Sequence, residues 1–266
     1  MRPFHGRDPG SNPGGGVLLL LSYTNRKPYI YNNSKHFMTS VMGLKHPTVN
    51  ATVLIADRQT TFSDNKGMPK GKNLGRKLWS SKNKNFCFGH AGNLDNELYD
   101  FIEKFAGEEF DVKKIIKKGY FPELRKLNIN RMGKRLPGEN LSGLILATRF
   151  DKNPKLYTCF PLGSVEERGW TCLGSGDQKI IEYMEALRTM EEAQDYLGNS
   201  STIQIKEVIK TGLEAVRRAQ SQDIYSQGLD MMICTPKKLI DHYANLGDDF
   251  GKKLANIQKR YTKMEL

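Results

Sequence analysis

A threonine hydroxyl is a weak nucleophile at its ordinary pKa and becomes a strong one when a base stands beside it. The α-amine of the same residue can be that base if the residue opens the chain, because an α-amine titrates at about pH 7.7–8.0 and so suits neutral solution. Such a catalyst needs more: a cation to lower neighbouring pKa values, a carboxylate to hold that cation, and backbone N–H donors for the oxyanion. Met38-Thr39 offers the terminus, since a small residue after an initiator Met permits removal of the Met. Asp57 ends an apolar run and Lys77 precedes another. Two adjacent strands of one sheet could bring the three side chains within reach. Thr48 and Thr52 are poorer nucleophile candidates, Thr52 lying inside the run ATVLIA. Spacing alone leaves the plain alternative open, because an Asp after a strand and a Lys in a basic loop are mostly solvated surface residues.

The elements that would carry these groups are legible as hydrophobic patterns. Thr39–Leu44, Ala51–Ala56, Leu78-Trp79 and Asn85–His90 read as strands, with a polar, Gly- and Lys-rich loop from Asp57 to Gly75. Apolar residues at 94, 98, 101, 102 and 105 have the spacing of an amphipathic helix, and a second helix over Val112–Leu127 breaks around Gly119–Pro122. Leu141–Phe150 and Lys155–Phe160, separated by Asp-Lys-Asn-Pro, predict an antiparallel hairpin whose sheet Arg168–Leu173 continues. Gln178–Met190 and Thr202–Gln220 read as helices, Leu229–Cys234 as a last strand, and Pro236–Tyr243 and Phe250–Lys259 as closing helices. Helices grouped in pairs, rather than alternating with strands, argue against a doubly wound α/β fold. They predict an α+β chain, a four-layer α-β-β-α sandwich with helices on the outer faces of two packed sheets.

Composition narrows the class. The chain has 266 residues and 38% hydrophobic content, enough for one sizeable core. Its longest apolar run, Val17–Leu21, is far shorter than the roughly 20 residues of a membrane span, and no convincing cleavage site makes it a signal peptide. Residues 1–37, rich in Gly, Pro, Ser and Asn, read as a disordered leader outside the mature protein, followed by one domain over 38–247 and a basic C-terminal helix over 248–266. Four cysteines without CxxC pairing and five scattered histidines give no support to a zinc site or a disulfide framework, and buried reduced thiols fit the cytoplasm. The charge of +12 is spread over several segments without aromatic interleaving, which favours a solvated basic surface over nucleic-acid binding.

Six short segments run in order along the chain: Thr39-Ser40-Val41-Met42-Gly43, Ala56-Asp57-Arg58-Gln59-Thr60-Thr61, Gly75-Arg76-Lys77-Leu78-Trp79, Phe88-Gly89-His90-Ala91-Gly92, Leu173-Gly174-Ser175-Gly176 and Gln222-Asp223-Ile224-Tyr225-Ser226-Gln227-Gly228. Together they resemble the motifs of proteasome β subunits and of the related bacterial peptidase that works with an ATP-dependent unfoldase, both N-terminal-nucleophile hydrolases. The resemblance implies a threonine-type endopeptidase with Thr39 as nucleophile, Asp57 as carboxylate partner and Lys77 as catalytic lysine. It also implies Gly89 as the oxyanion N–H, Ser175 near the nucleophile's amine, and Asp223 and Ser226 beside that amine. It calls for no metal and no organic cofactor. The partners it implies are polypeptide substrates and further subunits of a ring, with α-type subunits or an ATPase unfoldase.

The family commonly frees its Thr by cutting after a glycine, whereas Met38 stands before Thr39 here. A blocked Thr39 would make the chain a catalytically silent ring subunit. A third alternative is an amidase or transpeptidase on the same fold, since fold does not select among these chemistries.

Overall fold

A computed structural model of the protein describes residues 40–46, 49–63, 69–92, 96–133, 141–174, 176–196, 205–221 and 228–242. The expected leader over 1–37 and the expected basic helix over 248–266 lie outside these residues. Among the described residues the chain is a mixed α+β structure with two five-stranded antiparallel sheets, a separate two-stranded hairpin and five helices.

The continuous apolar runs become strands covered on both faces. In β2 (Thr52–Asp57), Val53 and Ile55 join one hydrophobic cluster while Leu54 and Ala56 join another. The same period-two division recurs in β11 (Leu229–Cys234), where Met231 and Ile233 face one way and Met232 and Cys234 the other. It recurs again in β6 (Phe86–Ala91) and β7 (Gly143–Thr148) of the second sheet. One cluster of residues, including Val41, Leu54, Leu78, Ile145 and Met232, draws on both sheets.

The first sheet has the order β10 (Trp170–Gly174), β1 (Ser40–Leu44), β2, β11, β12 (Leu239–His242). Its other face is covered by α4 (Asp177–Tyr196) and α5 (Ile205–Ser221), which contribute Ile180, Val208, Ile209, Leu213 and Val216. The second sheet runs β5 (Leu78–Ser80), β6, β7, β8 (Lys155–Cys159), β9 (Val165–Glu167). Against it pack α1 (Asn96–Ala106), α2 (Val112–Lys118) and α3 (Pro122–Gly133). The spacing-based helix becomes α1, with Leu98, Phe101, Ile102 and Phe105 buried. The break in the second helix falls where expected: Asp111 caps the start of α2 through the Lys114 amide, and Gly119 ends it.

Three expectations change. The described part of the helix expected over Pro236–Tyr243 is not helical: Thr235 and Lys238 close a tight turn through mutual backbone and hydroxyl bonds, and Leu239–His242 returns as β12 against β11. The polar stretch after Asp57 holds a hairpin, β3 (Gln59–Ser63) and β4 (Pro69–Leu74), whose strands pair with each other. A two-stranded ribbon of this kind can form without the apolar periodicity that marks core strands. Finally, Arg168–Leu173 does not continue the hairpin's sheet. After β9 pairs with β8, the chain crosses over, and Trp170–Gly174 pairs with β1.

Phe105 lies at the centre of an aromatic group, its ring 4.8 to 6.1 Å from those of Phe86, Phe88, Phe101, Phe110 and Phe121. Phe105→Ala would leave a cavity between α1 and the second sheet. It is expected to lower stability by about 3–5 kcal/mol in urea unfolding followed by circular dichroism.

Candidate functional site

At one end of the paired sheets three segments meet on a single carboxylate. Asp57 ends β2 and is fully buried. Lys77 stands immediately before β5, 5% exposed, and its Nζ lies 2.9 Å from Asp57 Oδ1 and 2.8 Å from Oδ2. The backbone N–H of Ser40, the first residue of β1, donates to Asp57 Oδ1 at 2.7 Å. Antiparallel pairing sets this up, since Val41 lies opposite Ala56 and the next step outward brings Ser40 opposite Asp57. Lys77, however, comes from the second sheet. Three groups on adjacent strands of one sheet were expected; the carboxylate and the ammonium instead span two sheets.

The intervening hairpin explains how residues 20 apart in sequence meet. The Gly75 amide donates to the Arg58 carbonyl at 2.8 Å, so β3 and β4 leave and return at one point. The chain then enters β5, where the His90 amide holds the Lys77 carbonyl at 3.1 Å.

Of the other residues implied by the resemblance, Thr39, Ser175, Asp223 and Ser226 lie outside the described residues, as does Thr48. Their described neighbours converge on the same place. Ser40 follows Thr39 and is bound to Asp57. Gly174 is paired with Ser40, and a Cβ on Gly176 would overlap the Ser40 hydroxyl. Gly228, which ends the segment holding Asp223 and Ser226, accepts from the Arg58 amide at 3.3 Å, and Leu229 pairs with Asp57. Thr52 lies at the opposite end of β2 from Asp57, buried and paired with Cys234.

Gly89 is placed differently from the role assigned to it. The bond from the His90 amide to the Lys77 carbonyl makes Leu78–Gly89 a non-hydrogen-bonded pair, so the Gly89 amide points the other way, into the ladder with Ile145 of β7. Its missing side chain serves packing, because a Cβ there would overlap Val41 and come within 2.9 Å of Leu78 Cδ2. Gly92, just past the end of β6, has φ of +121°, a backbone conformation open to glycine. By strand alternation its amide faces the same side as that of His90, toward Lys77, beyond the start of β5.

A second buried pair adjoins the first. Arg58 Nε lies 3.3 Å from Asp230 Oδ1, with both side chains less than a tenth exposed. Burial pushes the Asp230 carboxyl up to about 6, against the opposing pull of Arg58 and Arg76. Sequence reasoning passed over both residues. The available signal was a lone Asp inside the apolar strand LDMMIC. The buried thiols offer no rival nucleophile: burial pushes Cys159 and Cys234 up to about 12, so they stay protonated at neutral pH. No protein-family model matches the sequence, and no curated protein matches it. Among the described residues no helix is long and apolar enough to cross a membrane.

The ion pair between the sheets makes a direct prediction. Lys77→Met would leave the buried Asp57 carboxyl without its cation, with the Ser40 amide as a remaining donor, and is expected to cost about 3–5 kcal/mol. The double variant Asp57→Leu, Lys77→Met should recover most of that loss in urea unfolding, because an apolar pair removes the uncompensated charge.

Proposed function

We propose that the chain is a threonine-type endopeptidase of the proteasome β-subunit kind, folded as a four-layer α-β-β-α N-terminal-nucleophile hydrolase. The observation that carries this is the shared hold on Asp57: the Lys77 ammonium and the Ser40 amide both bind one buried carboxylate, and Ser40 directly follows Thr39. Covalent continuity keeps Cα of residue 39 about 3.8 Å from that of Ser40. A nucleophile there needs no side chain to cross the molecule before it meets a fixed cation.

In the proposed reaction the Thr39 hydroxyl attacks a peptide carbonyl and its proton passes to the Thr39 amine. Lys77 favours both steps by its charge, and Asp57 holds Lys77 in place. The Gly92 amide is a better oxyanion donor than that of Gly89, whose N–H is taken up in the β6–β7 ladder. The amine then protonates the leaving nitrogen, and water hydrolyses the acyl ester. Ser175, Asp223 and Ser226 are assigned to the hydrogen bonds around the amine, which the convergence of their neighbours on Ser40 and Asp57 supports. Polypeptides are the substrates, and assembly into a cytoplasmic ring, with α-type subunits or an ATPase unfoldase, belongs to the same proposal.

The test is intact mass and N-terminal sequencing of protein from its native host, followed by labelling with a threonine-directed electrophile and a fluorogenic peptide assay. A chain opening at Thr39, labelled there, and a loss of at least about 1,000-fold in kcat/KM for Thr39→Ala are expected. Lys77→Ala should fall by about 100-fold or more at unchanged N-terminus. A chain that retains Met38, takes no label and cleaves nothing would replace this function with that of a silent ring subunit. A labelled chain that turns over small amides and no peptides would make it an amidase.

A further inference from the structure

Behind the Asp57–Lys77 pair lies a carboxylate that the proposed chemistry does not use. Asp230 sits on β11 opposite Ala56, one residue short of Asp57 in β2. It is 3% exposed. Its neighbour Met232, on the same face of the strand, packs in the cluster shared by the two sheets, so Asp230 occupies the rim of that apolar layer. Four groups face it from the elements around it: the Arg58 guanidinium after β2, Arg76 and the backbone N–H of Lys77 ahead of β5, and Asp241 on β12. Asp241 is itself paired with Arg76. Among the described residues neither Asp230 oxygen receives a fully formed hydrogen bond, although Arg58 Nε is within 3.3 Å and the Lys77 amide points at it. A buried carboxylate is costly to keep ionised unless cations and N–H donors meet it at close range, as Arg58 and the Lys77 amide do here.

We propose that Asp230 is a positioning residue for Lys77: its carboxylate draws the Arg58 guanidinium and the Lys77 backbone amide together, and so fixes the point from which the Lys77 side chain reaches Asp57. Both residues flanking the hairpin, Arg58 on the way out and Lys77 on the way back, are thereby tied to one strand of the first sheet. The Gly75–Arg58 backbone bond closes the same gate from the other side. The catalytic consequence rests on the peptidase function proposed above; the hold on Lys77 does not. The ionised form does the holding. The raised pKa of about 6 therefore puts release at mildly acidic pH, with protonation weakening the pull on Arg58 and on the Lys77 amide.

The experiment is hydrogen exchange of the Lys77 amide in the full chain, with the core amide of Phe88 as an internal reference, in wild type and Asp230→Asn. At pH 7 the Lys77 amide is expected to exchange about tenfold faster in the variant relative to Phe88, since an uncharged acceptor holds it less strongly. In wild type its protection, after division by the intrinsic exchange rate, should fall as pH drops from 7 to 5 through about 6. If the variant does not fold, this wild-type series decides alone. Where peptides are cleaved, Asp230→Asn should lower kcat by about 10- to 100-fold at unchanged KM, the mark of a misplaced catalytic group rather than a damaged binding cleft. Equal Lys77 protection in the two proteins, or protection flat across that pH range, would overturn the proposal. If wild type cleaves no peptide, the peptidase function falls, and the exchange result still determines whether Asp230 holds Lys77.

Discussion

The arrangement at the end of the two sheets depends on the burial of one carboxylate. Asp57 is out of contact with water, and a charge in that position must be met by other charges or donors at close range. It takes two contacts from the Lys77 ammonium and one hydrogen bond from the Ser40 amide. Those three contacts fix where β1 begins, how β2 ends and where the chain enters β5. They also tie the first sheet to the second at its rim, where the apolar side chains between them give out. A protein that needed only adhesion there could use a pair of leucines at less cost in desolvation. A charged pair held at that cost is the arrangement that the proposed nucleophile activation calls for.

The rest of the fold brings these ends together by packing. Strands of the first sheet divide their residues between the layer under α4 and α5 and the layer shared with the second sheet, and the second sheet does the same toward α1, α2 and α3. The central strands β1, β2 and β11 of the first sheet and β6 and β7 of the second are thus apolar on both faces, and neither sheet can slip by one residue without exchanging its two sets of contacts. Glycines allow the close approaches on which this depends. Gly89 gives room to Val41 across the inter-sheet layer, and Gly212 of α5 gives room to Ile55 and Leu44 beneath it. Rigid register is what lets a carboxylate on one sheet and an ammonium on the other meet at hydrogen-bonding distance.

Much of this could be read from residue patterns. Runs such as ATVLIA and LDMMIC announced strands because strands buried on both faces need no alternation, and the Leu98, Phe101, Ile102, Phe105 spacing announced α1. The β3–β4 ribbon escaped because its strands pair with each other and carry no core pattern. The β12 strand is not legible because four residues contain too little periodicity to tell strand from helix, and the turn at Thr235–Lys238 depends in part on the Thr235 hydroxyl. At the site, Asp57 and Lys77 were identifiable as a pair, but not the sheets they would join. Gly89 and Gly92 stand three apart in one motif, and which of their amides faces the Lys77 side depends on ladder alternation, which is set by the partner strand rather than by the motif. Asp230 was visible only as a polar interruption, because its meaning lies in Arg58 and Lys77, which arrive from distant segments.

One covalent bond decides whether this geometry can act under the proposed chemistry. With Thr39 as the first residue, its nitrogen would be an amine, and in the proposed chemistry the neighbouring Lys77 charge favours the neutral form of that amine. That is the form able to take a proton from the hydroxyl. With Met38 still attached, the same nitrogen is an amide that cannot serve as a base, while Asp57, Lys77 and the Ser40 amide can keep their contacts unchanged. Stability and the proposed chemistry thus rest on different features: the first on the packing of the two sheets, the second on a free amine at residue 39.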